Sequence, residues 1–329
     1  MTDSNAPVVV VGGGIAGISC ARTLVDAGHG VRVLDRGHRI GGRAAVRTED
    51  LPEGRHAVDI GASYFTVRDV RFKAVVDGWR DTGLARVWTD TFHLVSPEGR
   101  VGTTTGLPRW AAVGGLRSIV EDLAAGLDVR GATDVEEVDV DGDRLAVDGE
   151  PARAVVLAMP DPQAADLLPE PVATWLELDR GLEWAPAIAV WGAWDTRWWG
   201  DLDGAFIDGS PVVSWLADDG RRRGDGAAVL VAHTTSVFAA GRLEDPGSAV
   251  TPVLRELAAL LGVARIPEPM FARAHRWSLA APLHQHSAPF ALHPALVGVC
   301  GDAWGERSRI EQAWLSGRLL GEELVERLA

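Results

Sequence analysis

Four valines, Val8 to Val11, run directly into Gly12-Gly13-Gly14, and the next residue, Ile15, opens a stretch with helical periodicity. No other passage constrains the fold as strongly. It reads as a buried strand, a tight glycine turn and a helix start. Gly12, Gly14 and Gly17 form G-x-G-x-x-G, and Asp35 follows Gly17 by 18 residues. Each part has a task in dinucleotide binding. Gly12 permits the turn, Gly14 lets backbone approach a pyrophosphate, and Gly17 lets the helix pack close to the strand. The helix N-terminus offers N–H groups and the positive end of its dipole. Asp35 ends the next apolar strand, Val31 to Leu34, where a carboxylate can accept from a ribose hydroxyl. The helix between is predicted over Ile15 to Ala27, with Ile18, Ala21, Leu24 and Val25 on one face and Gly28 closing it.

Arg36 and then Gly41-Gly42-Arg43 follow the acidic strand end. A second glycine pair with an arginine suits a second anion contact, which a Rossmann domain for NAD alone does not usually need. This set resembles the start of the flavin amine oxidases. Val58-Asp-Ile-Gly-Ala-Ser-Tyr-Phe-Thr-Val-Arg-Asp69 resembles the renalase branch of that superfamily. So do Ala274-His-Arg-Trp277, Val299-Cys-Gly-Asp302 and Ile310-Glu-Gln-Ala-Trp-Leu-Ser-Gly317. The resemblance runs from the first strand to the last helix.

It implies noncovalent FAD as cofactor and a set of residue roles. Gly12, Gly14, Ala16 and Gly17 would hold the pyrophosphate and Asp35 the adenosine ribose. Arg36, Gly42 and Arg43 would lie along the phosphates, and Ala62 and Ser63 near the flavin. Val135, expected on a strand, would present backbone to the adenine. Asp302 would bind ribityl or phosphate oxygens. Ile310 would aim an N–H from the start of the last helix at the flavin N1/O2 edge, where a helix N-terminus stabilises the charge of a reduced flavin. Three positions depart from the renalase pattern. Ser63 stands where glutamine is expected, Ser278-Leu-Ala-Ala-Pro282 lacks a tyrosine and an arginine, and the loop from Asp302 to Ile310 is one residue longer.

The expected fold class is α/β, with a discontinuous Rossmann-like FAD domain formed by residues 1–75, 111–160 and 291–329. A β-rich α+β substrate domain takes 76–110 and 161–290. Within this scheme, helices are expected at 71–83, 116–127 and 246–261. Strands are expected at 129–140, 144–147, 154–158, 188–194, 212–216 and 228–234, and residues 84–107 read as short and mixed. Arg221-Arg-Arg-Gly-Asp-Gly reads as a solvated turn, with phosphate binding as the sharper alternative. No second G-x-G-x-x-G occurs, so a separate NADPH domain is not expected.

A chain of 329 residues with a net charge of −14 buries a large core and argues against nucleic-acid or anionic-membrane partners. The two cysteines, Cys20 and Cys300, give neither a disulfide framework nor a metal site. Both read as buried small hydrophobes, with a flavin thioether at Cys300 as the alternative. No basic leader or membrane-length apolar run is visible, which predicts a cytoplasmic protein. Thirteen tryptophans accompany a single tyrosine. Those at 184, 191, 194, 198, 199 and 215 serve either as core or as the wall of a pocket for a planar ligand.

Flavin chemistry asks the protein for position and electrostatics, and no catalytic triad is visible. The substrate candidates are Tyr64, Phe65, Thr66, Arg68 and Trp277, which combine rings, a hydroxyl and a cation. Tyr64 and Phe65 could equally be core, and Arg68 could pair with Asp69 or Asp59. His275 is either a structural histidine or an acid/base. His284, His286 and His293 read as loop histidines, and no metal is expected. The resemblance implies oxidation of a small dihydropyridine, a 2- or 6-dihydro isomer of NAD(P)H, with O2 as acceptor. An amine or amino-acid oxidase or a desaturase is the second reading, and a non-catalytic flavin scaffold or redox sensor the third. Amine oxidases often carry a lysine beside the flavin. Lys73, the one lysine here, falls in a predicted surface helix.

Overall fold

The four valines become a strand, Val8–Val11, that is buried along its whole length. It pairs in parallel with Val31–Leu34 on one side and Ala154–Leu157 on the other. An uninterrupted apolar run suits such a strand, because a parallel sheet is covered on both faces. The structure, a computed structural model, describes residues 6–142, 144–178 and 183–329. It divides into two compact units, one of residues 1–44, 120–184 and 281–329, the other of 45–119 and 185–280. Residues 45–75 and 111–119 thus group with the second unit, and 161–184 and 281–290 with the first.

The first unit is built on a six-stranded sheet. Its order is Ala291–Leu292, Val297–Val299, Ala154–Leu157, Val8–Val11, Val31–Leu34, Asp128–Arg130. The glycine turn leads into a helix, Ile15–Asp26, which ends just before Gly28 at φ +90°. The last helix, Ile310–Leu328, packs against it through two glycines. A Cβ on Gly317 would overlap the backbone of Ala16, and one on Gly321 would come within 3.0 Å of the Cys20 carbonyl oxygen. These positions need glycine because backbone lies against backbone. Cys20 and Cys300 are both buried, and burial pushes the Cys300 thiol up to about 12.

One predicted strand splits. Residues 129–140 form Asp128–Arg130 and Val138–Asp141 with irregular chain between. The break has a local cause. Gly131 and Ala132, the latter at φ +53°, turn the chain so that Ala132 and Thr133 donate to the Gly37 and Asp35 carbonyls. Val135 is therefore on a loop, not a strand, and its side chain is buried. The helix expected at 116–127 is shorter, Arg117–Leu123.

The second unit holds a seven-stranded sheet. Its order is Phe271–Pro282, Trp184–Ala193, Val229–Thr234, Val213–Asp218, Gly204–Ile207, Ala85–Ser96, Gly99–Ala112. The stretch read as mixed, 84–107, is a long hairpin of the last two strands. A second hairpin, Val46–Leu51 with Gly54–Asp59, leads to the Tyr64 segment. The helix Val70–Asp81 is capped by the Asp69 carboxylate, which accepts from the Arg71 N–H at 2.7 Å.

Most of the clustered tryptophans of this unit are core. Trp194, Trp198 and Trp199 meet edge to face at centroid distances of 5.4–5.6 Å. Their neighbours include Ile188, Val190 and Leu230. Trp191 donates to a buried Glu49 at 2.9 Å, and Trp199 to a buried Asp218 at 2.6 Å. The arginine run is not a solvated turn. Residues Asp219–Arg223 form a short helix in which Arg222 is fully buried and Arg223 nearly so. The sequence shows three charges in a row, but Asp59 and Asp219 neutralise the inner two.

Candidate cofactor cradle and substrate site

In the first unit the cofactor candidates converge at the C-terminal ends of the parallel strands, where open α/β sheets bind ligands. The helix Ile15–Asp26 starts at Gly14 without a side-chain cap. A Cβ built on Gly14 meets nothing within 4 Å, so this turn faces open space. A Cβ on Gly17 would instead overlap the Gly12 carbonyl, which fixes the close helix–strand packing. Asp35 ties the turn down, accepting from the Gly13 N–H at 2.6 Å and from the Gly37 N–H at 2.7 Å. Both carboxylate oxygens keep acceptor capacity for a ribose hydroxyl. Arg36 is exposed beside it.

The second glycine pair lies on the first. Gly41 donates to the Gly13 carbonyl at 2.9 Å. Gly42, at φ +50°, is exposed, and a Cβ there would stand 3.4 Å from the Gly14 Cα. Arg43 follows. It pairs with Asp302 through both terminal guanidinium nitrogens, Nη1 at 3.0 Å and Nη2, and lies 5.2 Å over the Trp184 ring. Trp184 Nε1 is buried without a hydrogen-bond partner among the described residues.

Asp302 sits in a pinned loop. It accepts from Ser308 Oγ; Gly301 N–H donates to Ser316 Oγ at 3.0 Å; and Gln312 Nε2 donates to the Trp304 carbonyl at 2.8 Å. His286, whose spacing predicts a loop histidine, also holds this segment. His286 donates its N–H to the Ala303 carbonyl and accepts from Gly305 N–H. Its ring stacks on Trp304 at 3.8 Å, and its Nε2 lies 2.6 Å from Oδ2 of a buried Asp161. Asp161 is 125 residues away, so no local signal pointed to the pair. Ile310 opens the last helix, and its N-cap, Arg309, makes no capping side-chain bond.

The substrate candidates and Ala62 and Ser63 belong to the second unit. Ser63 is not open to a ligand. Its hydroxyl accepts from Trp215 Nε1 at 2.9 Å and its carbonyl from Arg222 at 3.1 Å. Ala62 is partly exposed. Phe65 is core, at 2% exposure against Phe72, Trp79 and Trp110. It is thereby removed from the substrate set, because the hairpin strand carrying Trp110 pairs with it and covers its ring. Tyr64 points the other way and is only partly buried, among Trp88, Phe92 and Trp215. Its phenol bonds to Arg109, a residue the sequence did not single out. Burial raises the Tyr64 pKa and Arg109 opposes that rise.

Thr66 is partly buried and Arg68 exposed. Asp69 caps the helix Val70–Asp81 and pairs with Arg71, and Asp59 serves Arg222, Arg223 and the Leu116 N–H. Trp277 donates to the Ile60 carbonyl at 2.9 Å, and His275 packs on its edge at 4.7 Å. Burial first, then Arg47 and Arg276, hold His275 below its ordinary pKa. Among the described residues no group of three or more histidines, cysteines or acids stands together to hold a metal, and no helix is long and apolar enough to cross a membrane.

The profile of the family described as flavin containing amine oxidoreductase matches residues 90–321, well over half of the chain, and that of an NAD(P)-binding Rossmann-like domain matches 10–79. The chain belongs to the flavin-containing amine oxidoreductase family. Members of this family are FAD-dependent oxidoreductases. Putrescine oxidase of Kocuria rosea is 35% identical over 99 residues, 30% of this chain and 20% of that one. (S)-6-Hydroxynicotine oxidase of Paenarthrobacter nicotinovorans is 46% identical over 92 residues, 27% of this chain and 21% of that one. The matched stretches thus span about a fifth of the length of these relatives. Among solved structures, a putative protoporphyrinogen oxidase from Exiguobacterium superposes with a TM-score of 0.77 at 16% identity, covering 98% of this chain and 99% of the other. Putrescine oxidase superposes with 0.76 at 16%, with the same coverage. At that identity the likeness is one of fold. The cradle fits the family's cofactor: an open glycine turn, an uncapped helix start, a ribose-competent carboxylate and a phosphate-competent arginine stand together in one unit.

Proposed function

We propose that this chain binds one noncovalent FAD and acts as a renalase-like oxidase. Its substrate would be a small dihydropyridine, a 2- or 6-dihydro isomer of NAD(P)H, and O2 the acceptor, giving H2O2. Bound FAD supplies the hydride acceptor. The chain's residues supply position and electrostatics. Gly12–Gly14 and Gly42–Arg43 receive the pyrophosphate, Asp35 the ribose and Asp302 the ribityl or phosphate oxygens. The start of the helix at Ile310 places N–H groups toward developing negative charge. Cys300 is no candidate for a thioether, because its buried thiol resists ionisation. Tyr64, Trp277, Thr66 and Arg68 remain the substrate residues. A small-molecule substrate and a cytoplasmic location complete the reading.

The observation that carries the substrate choice is the chain's one lysine. Lys73 lies exposed on the helix Val70–Asp81 and pairs with Asp77 at 2.6 Å. No lysine is left for the flavin-side role found in amine oxidases. A dihydropyridine needs none, since aromatisation drives its oxidation and no proton must first leave it. The second reading, an amine oxidase, is favoured by the family itself and by the named relatives. Anaerobic flavin reduction against both substrate classes, followed from pH 6 to 9, separates the two. We expect reduction by 2- or 6-dihydro isomers with a nearly flat pH profile and little reduction by ordinary NADH. Rapid reduction by a simple amine, rising through an amine pKa, selects the second reading. No reduction by either class leaves a flavin scaffold or redox sensor.

A further inference from the structure

Three arginines are buried in the second unit, and one of them has no carboxylate. Arg222 and Arg223 share Asp59 and Asp219. Arg109 is 8% exposed and forms no ion pair among the described residues. Its guanidinium donates to the Asp90 carbonyl, bonds the Tyr64 phenol and lies 4.3 Å over the Phe92 ring. These contacts satisfy N–H groups and do not neutralise the charge. Keeping an unpaired cation from water is costly, and one aromatic face offsets that only in part.

The strand that carries Arg109 is distorted at this point. Pairing steps from Arg109 opposite Thr89 to Thr105 opposite Thr91, so Gly106-Leu107-Pro108 bulges from the ladder. Bulges of this kind re-aim side chains beside binding sites. The result is an unneutralised guanidinium at the hydroxyl end of Tyr64, whose ring packs on the core formed by Trp88, Phe92 and Trp215.

We propose that Arg109 is the anion-recognising residue of the substrate site, so that the substrate joins a planar ring to a phosphate or carboxylate. This rests on the reading that the Tyr64 segment receives substrate. The ring stacks on the partly exposed Tyr64, and its phosphate or carboxylate supplies the counter-charge that the fold withholds from Arg109. A substrate whose only charge is an ammonium is disfavoured there, because it would meet a cation that no carboxylate pairs with among the described residues.

The test uses the purified holoprotein and two probes that differ by one phosphate, nicotinamide mononucleotide and nicotinamide riboside, titrated by calorimetry. The mononucleotide should bind about tenfold more tightly or better. The preference should shrink with added salt. Arg109→Gln should abolish it and Arg109→Lys keep part of it, with circular dichroism confirming folded protein. If Arg109→Gln does not fold, the lysine variant decides, since an undiminished preference there overturns the proposal. Equal affinities in the wild type, no binding of either probe at millimolar concentration, or a preference that survives Arg109→Gln also overturns it. The outcome is separable from the reaction proposed above. Arg109-dependent phosphate preference without flavin reduction by dihydropyridines sinks the reaction alone, and reduction without the preference sinks the anion site alone.

Discussion

Arg43 and Asp302, 259 residues apart in the chain, meet fork to fork in the cofactor unit, with Ser308 as a third partner on the carboxylate. One comes from the second glycine pair and the other from the loop before the last helix. The pair joins the two ends of the chain at the place where phosphate and ribityl oxygens are proposed to lie. Each member is thereby held in orientation before a ligand arrives, which lowers the ordering cost of binding.

Asp302→Ala should release FAD. Loss of a charge-assisted bond of about 1.5–3 kcal/mol corresponds to roughly tenfold or more in affinity, and the Arg43 guanidinium loses its orientation as well. Asp35→Ala should act in the same direction but more weakly, because a ribose contact is partly solvated. The measurement is flavin retained through dialysis. Wild-type protein should be yellow, and acid precipitation should move the flavin to the supernatant. Undiminished retention by the Asp302 variant would count against its role.

Gly317→Ala should destabilise the cofactor unit without touching a ligand residue. The added methyl has no space, because the backbone of Ala16 occupies it. Overpacking of this kind costs about 1–3 kcal/mol, and more where backbone must move. Thermal unfolding of the variant should show a lower Tm. An unchanged Tm would mean that the two helices separate easily.

Asp219→Asn should be among the most damaging single changes in the second unit. Its carboxylate meets Arg222 and Arg223, both buried. Even with Asp59 pairing to both, burial pulls the Arg222 guanidinium down to about 10. Removing one partner of such a pair costs about 3–5 kcal/mol. Denaturant unfolding measures it, and a loss below about 1 kcal/mol would show that Asp59 alone suffices.

Acid should weaken the second unit through His233. Its Nε2 is sealed from solvent without a partner among the described residues, and burial, then Arg222, lower its pKa from 6.5 to about 4. Above pH 6.5 neither the folded nor the unfolded form binds the proton, and stability is full. Between pH 6.5 and 4 the unfolded form binds it and the folded form does not. Stability therefore falls with pH over that window, by at most about 1.4 kcal/mol per pH unit from this group. His233→Gln should flatten this limb of a plot of stability against pH. An identical acid limb in the variant would assign the loss to other groups.

The amino-acid pattern by itself determined the parallel strands around Val8–Val11, the helix at Ile15, the place of Asp35 and the nucleotide-binding character of the glycine turn. These follow from residues close in the chain, through side-chain periodicity and glycine stereochemistry. Tertiary structure decided the rest. It chose which rings of the Tyr64 segment became core, because Phe65 and Tyr64 point to opposite sides of one extended backbone. It turned an arginine run that looks solvated into a buried network, because Asp59 and Asp219 arrive from distant segments. It also set His286 against Asp161 and left Arg109 without a paired carboxylate among the described residues. Charge neutralisation and burial depend on neighbours brought in by the fold, and no window of sequence carries that information.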